Sequence, residues 1–152
     1  MKRLLVILLA AMLMLVPTGC GQMTAGQTVD GPTFYVDVVP ECGFEFYGLR
    51  YEYYLEDTAY GAAEAYKKDG TAFENGQPIA TRFTEREFPK QADLSQFSIE
   101  FKLKDKDENW ITVENRVPIE AEYAKRYQVV IEQTESGSCT ARYESEPAVS
   151  GE

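Results

Sequence analysis

From Thr33 onward the apolar residues of this chain recur at every second position. Phe34, Val36 and Val38 share one parity, and Pro40 closes the run. Leu49, Tyr51, Tyr53 and Leu55 form a second set, with Arg50, Glu52, Tyr54 and Glu56 between them. Phe97, Ile99, Phe101 and Leu103 alternate with Ser98, Glu100, Lys102 and Lys104, and Tyr127, Val129 and Ile131 make a fourth set. A period of two sends successive side chains to opposite faces of a pleated strand, so each stretch predicts a strand with one buried face. Ile79, Thr81 and Phe83, residues 110–114 and residues 139–143 add shorter strands. Phe44 and Phe46 start a run whose parity flips across Gly48, which predicts a β-bulge at that glycine. Residues 58–68 fit two patterns. Their Ala, Glu and Lys content suits a short helix, whereas alternation closed by Asp69-Gly70 suits a strand, and the turn chemistry favours the strand.

Seven or eight short strands, with turns every 8–12 residues, predict an all-β antiparallel sandwich over residues 33–143. Residues 117–131 resemble the corner of immunoglobulin-like and fibronectin type III-like domains. There a proline-containing crossover leads into Tyr-x-Val-x-Ile, matched here by Tyr127-Gln128-Val129-Val130-Ile131. The resemblance covers about fifteen residues and implies an immunoglobulin-like sandwich.

The amino-terminal residues follow another pattern. Lys2 and Arg3 precede a thirteen-residue apolar run at positions 4–16. That length suits the central region of a secretion signal and falls short of the ~20 residues a membrane-spanning helix needs. The following Pro17-Thr18-Gly19-Cys20 resembles the lipobox of bacterial lipoproteins, in which a small residue precedes a lipidated cysteine; Pro17 stands where that family carries Leu, Val or Ile. The resemblance implies removal of residues 1–19, lipidation of Cys20 and an exported domain held at a cell membrane or outer membrane. Ordinary secretion, with cleavage after Thr24-Ala25-Gly26, is the alternative. Residues 20–32 are small and polar and read as a flexible tether of about 40 Å at full stretch. Residues 144–152 read as a disordered acidic tail.

Charge and residue types narrow the chemistry. The chain carries 25 acidic and 15 basic residues, a net charge of −10, which disfavours nucleic acid and anionic surfaces as partners. It has no histidine, so histidine-dependent triads and imidazole metal sites are excluded. No phosphate-binding glycine loop or nucleophile elbow occurs. No catalytic residue, metal site or cofactor is therefore expected. Asp105, Asp107 and Asn109 have alternate-oxygen spacing, but without the glycine and distal glutamate of a calcium loop they read as a solvated turn.

With Cys20 lipidated, Cys42 and Cys139 remain as an even pair, either bridged in an oxidising compartment or left as two thiols. Tyr47 and Tyr54 stand among charged residues outside the apolar parity and are candidate contacts for a sugar or a protein. The expected role is that of a membrane-anchored, non-catalytic binding or adaptor module for a protein or carbohydrate ligand. A structural subunit of an envelope complex, or an inhibitor of an extracellular enzyme, is the alternative.

Overall fold

The computed structural model describes residues 31–144. The proposed signal, Cys20 and all of the tether before Gly31 lie outside the described residues, as does the tail beyond Glu144. Nine strands form two sheets that face each other without closing into a barrel. They are β1 (Thr33–Glu41), β2 (Gly48–Leu55), β3 (Thr58–Ala65), β4 (Ile79–Thr84), β5 (Phe97–Lys104), β6 (Trp110–Thr112), β7 (Val117–Ile119), β8 (Arg126–Gln133) and β9 (Cys139–Glu144). One sheet has the order β4-β1-β8-β9 and the other β3-β2-β5-β6, with β7 also paired to β5. The expected all-β sandwich is therefore the architecture. β1 and β8 run parallel, from Tyr35 opposite Arg126 to Glu41 opposite Glu132, within otherwise antiparallel sheets.

Strand alternation translates directly into the core. Leu49, Tyr51, Tyr53 and Leu55 are buried while Arg50, Glu52 and Tyr54 face outward. Phe34 from β1 and Phe83 from β4 meet Tyr53 from β2 and Phe97 from β5 between the sheets. Ring centroids are 5.0 Å apart for Phe34–Phe83, 5.1 Å for Phe34–Phe97 and 5.1 Å for Tyr53–Phe83. Each fully buried phenylalanine contributes about 1.5–3 kcal/mol through removal from water, and edge-to-face pairs add to that. The antiparallel partner β4 stops opposite Val38, two residues before Pro40, whose missing N–H would break a longer ladder.

Local details depart from the periodicity. Residues 42–47 are irregular, and β2 begins at Gly48, so the parity flip marks a loop-to-strand boundary. The β2–β3 register shift falls between Tyr53 and Tyr54 instead. Residues 58–65 are a strand, but β3 pairs back onto β2 through the tight turn at Glu56 and Asp57. Asp69-Gly70 belongs to the loop that follows. Val117–Ile119, expected as connection, is strand β7, and Glu144 closes β9 rather than opening the tail.

Candidate functional site

The outer face of the β3-β2-β5 sheet carries most of the charged side chains flagged by alternation. Tyr54 sits in the middle of them and is fully engaged. Its hydroxyl lies 3.2 Å from carboxylate oxygens of both Glu52 and Glu100. The Arg116 guanidinium covers its ring at 3.8 Å from the centroid. Arg116 is held in turn by Glu100 at 2.9 Å and Asp57 at 3.5 Å. A tyrosine with its face covered and its hydroxyl shared between two carboxylates is part of a surface lattice, not an open contact for a ligand.

Tyr47 has different surroundings. It lies just before β2, and its backbone N–H donates to the Lys104 carbonyl at 2.7 Å, which anchors it to the end of β5. Its hydroxyl donates to Glu45 at 3.2 Å. Beside it opens a cleft of about 240 Å³ lined by Tyr47, Tyr66, Lys67, Lys104, Lys106 and Glu108. Tyr66 follows β3, is 49% exposed, and directs its hydroxyl to Glu64 at 2.6 Å.

Gly48 explains how the second ring gets there. A Cβ at this position would run into Tyr66 Cε1 and Lys104 Cβ. The missing side chain is therefore the seat on which Tyr66 lies across the start of β2. Lys104 Nζ stands 5.7 Å from the Tyr66 ring centroid and 6.0 Å from that of Trp110, within cation–π range of both. Burial, followed by the hydrogen bond to Glu64, pushes Tyr66 up to about 12, and the hydrogen bond to Glu45 raises Tyr47. Both rings stay neutral at physiological pH, with their hydroxyls fixed by carboxylates.

The three cleft lysines each have an acidic neighbour: Lys67 pairs with Glu74 at 3.5 Å, Lys104 with Glu108 at 3.4 Å and Lys106 with Asp107 at 2.8 Å. On a chain of net charge −10 the cleft still gathers cations beside aromatic faces. Such a surface can stack on an apolar ring face while offering donors and acceptors around its rim. Sequence alone selected Tyr47 and missed Tyr66, whose place depends on Gly48 and on the turn of the 66–78 loop. The Asp105 turn forms the lower edge. Asp105 Oδ1 accepts the backbone N–H groups of Asp107 and Asn109, each at 2.8 Å, and these bonds hold its carboxyl below the usual range. Its oxygens are thus occupied by the turn.

The two buried cysteines lie at another part of the sandwich, at the end of β1 and the start of β9, and both are thiols in this structure. Among the described residues no group of three or more acidic or sulfur ligands is placed to hold a metal. Among them also, no helix is long and apolar enough to cross a membrane.

No protein-family model matches the chain, and comparison with curated proteins gave no match. Among solved structures, the chain is similar to the NMR structure of a protein from Eubacterium rectale. The identity is 9%, with 80% of this chain and 99% of that one covered, at a TM-score of 0.44. It is also similar to a structure described as a trapped toxin, at 11% identity and a TM-score of 0.32, covering 76% of this chain and 24% of the other.

Proposed function

We propose that this chain is an exported lipoprotein, anchored through Cys20, whose sandwich is a non-catalytic module that binds carbohydrate in the cleft between Tyr47 and Tyr66. The observation that carries the reading is the pair of tyrosine rings flanking one cleft, with hydroxyls tied back and lysine and glutamate side chains at the rim. The cleft is open and smaller than the usual ~300–1,000 Å³ of a pocket that engulfs a small molecule. It suits a polar chain laid across the surface, with one or two rings in contact. Support for export and anchoring comes from the charged start, the apolar run and Gly19-Cys20.

Binding is tested by screening the purified protein against an array of cell-envelope and extracellular glycans, followed by calorimetry on any hit. Tyr66→Ala should weaken binding about tenfold or more, the equivalent of ~1.4 kcal/mol, with an unchanged melting temperature. A protein partner captured instead of glycan, or glycan binding indifferent to Tyr66→Ala, overturns the assignment of the cleft. Anchoring is tested separately. Cys20→Ala should move the protein from the membrane fraction to the soluble one or leave it unprocessed. An unmodified amino terminus at Gln27, read by intact mass, sinks the anchor.

One feature favours the alternative of a subunit in an envelope assembly. β3 is the edge strand of its sheet, largely exposed, with Glu64 its sole charged residue and Ala59, Gly61, Ala62, Ala63 and Ala65 its small ones. An edge so lightly protected can accept a strand from a neighbouring chain. Co-purification of a stoichiometric envelope protein that is lost on Ala62→Pro would support that reading over the first.

A further inference from the structure

The ends of β1 and β9 bring two distant cysteines together. β1 pairs with β8 as far as Glu41 opposite Glu132, and Cys42 follows immediately. β9 opens at Cys139, opposite Gln133 on the other side of β8. Both side chains turn into the core, where Cys42 is 5% exposed and Cys139 fully buried. The Cys42 thiol donates to the Ile131 carbonyl at 3.8 Å and lies in hydrogen-bond contact with the Cys139 thiol.

The backbone on each side is held independently of the sulfurs. Cys42 N–H donates to Asn75 Oδ1 at 3.1 Å, and Asn75 Nδ2 donates to the Cys42 carbonyl at 2.7 Å. Gly43 N–H donates to Gln133 Oε1 at 3.1 Å. The Cys139 carbonyl accepts Glu114 N–H at 2.8 Å. The fold itself has set the two thiols against each other.

We propose that Cys42 and Cys139 form a disulfide in the exported protein, fastening the end of β1 to the start of β9 across β8. Side-chain rotation then brings the sulfurs to about 2.05 Å. The oxidant is a disulfide, either an exported thiol–disulfide oxidoreductase or a low-molecular-weight disulfide. One cysteine thiolate attacks it and releases a thiol, and the second cysteine displaces the mixed disulfide. The S–S bond forms with loss of two protons, and two electrons pass to the oxidant, which leaves as two thiols.

Timing follows from burial. Desolvation pushes Cys42 up to about 12 and raises Cys139 as well, so the attacking thiolate is scarce once the domain has closed. The bond forms while β9 is still undocked, and afterwards the same burial shields it from reductants. It would also fix residues 42–47, and with them the approach to Tyr47. Export supplies the place where the oxidant is met, but the test below does not depend on export.

The full chain carrying Cys20→Ser, which leaves two thiols, is denatured, reduced and refolded with oxidised glutathione. The expected product has lost two hydrogens by intact mass, shows no thiol titratable in denaturant and yields a proteolytic fragment linking Cys42 to Cys139. Its melting temperature exceeds that of the reduced protein by on the order of 10 °C. Two free thiols after refolding overturn the proposal, as does glutathione attached to each cysteine without an internal bond. A linked product that melts no higher than the reduced one refutes the fastening role.

Discussion

At the scale of single residues, a few polar contacts hold the sandwich where periodicity is silent. Tyr127 is the clearest. Its ring packs against Phe34, with centroids 6.2 Å apart, while its hydroxyl accepts the Glu122 N–H at 2.7 Å and donates to the Glu120 carbonyl at 3.2 Å. One phenol thus pins the crossover from β7 to the start of β8, the geometry of a tyrosine corner. Tyr127→Phe keeps the ring and leaves both backbone groups to water. It should cost about 1–2 kcal/mol in chemical denaturation with no change in denaturant slope. A stability loss within error of zero would show that the crossover holds without the phenol. Asp37 follows a similar logic. It is 9% exposed on the outer face of β1, and Arg126 Nη1 reaches its two oxygens at 2.8 and 2.7 Å while stacking over Tyr35 at 4.7 Å.

Strands impose a second layer of constraint, visible at β2 and β3. Gly61 on β3 lies opposite Tyr53 on β2. A Cβ at Gly61 would collide with the Tyr53 hydroxyl and ring. That ring belongs to the aromatic cluster with Phe83, Phe88 and Phe97, and its hydroxyl donates to Glu87 at 3.1 Å. Gly61 is therefore needed for the space it leaves rather than for its backbone angles. Gly61→Val should destabilise the domain by about 1–3 kcal/mol despite the better strand propensity of valine. In a Tyr53→Leu background the same substitution should cost clearly less, and a thermodynamic cycle measures the coupling. Equal costs in both backgrounds would exclude the ring as the cause.

The molecule as a whole is built around tyrosines kept neutral. Burial leads the causes that raise Tyr51, Tyr53, Tyr54, Tyr123 and Tyr127 above the ordinary tyrosine range, and it takes Tyr66 to about 12. Carboxylates, among them Glu87, Glu100 and Glu64, act in the same direction. Between an unfolded value near 10 and these higher folded values the native state holds more protons than the unfolded one. This stability is fully present below about pH 10 and falls as pH rises through the folded values. Repulsion within a chain of net charge −10 adds to the loss. Alkaline titration should therefore show most tyrosinate absorbance appearing together with the loss of β-sheet circular dichroism. Gradual tyrosine ionisation about pH 10, with the sheet signal intact, would contradict it.

What the sequence determined by itself was the layer structure. Alternation at 34–38, 49–55, 97–103 and 127–131 selected the inward residues, because a period of two admits one assignment of faces once the apolar set is known. It also favoured strand over helix at 58–65, and singled out Tyr47. Tertiary structure decided everything that depends on which strands become neighbours. The parallel pairing of β1 with β8, the return of β3 onto β2 and the use of Val117–Ile119 as a ninth strand are long-range choices with no local signature. The two outward tyrosines show the same division. Both stand among charges in the sequence, yet Tyr54 is closed off by Arg116, which lies far along the chain. Tyr47 gains an open cleft because Gly48 lets Tyr66 settle beside Lys104. Exposure is a property of what packs next to a side chain, and in a sheet that neighbour comes from another strand.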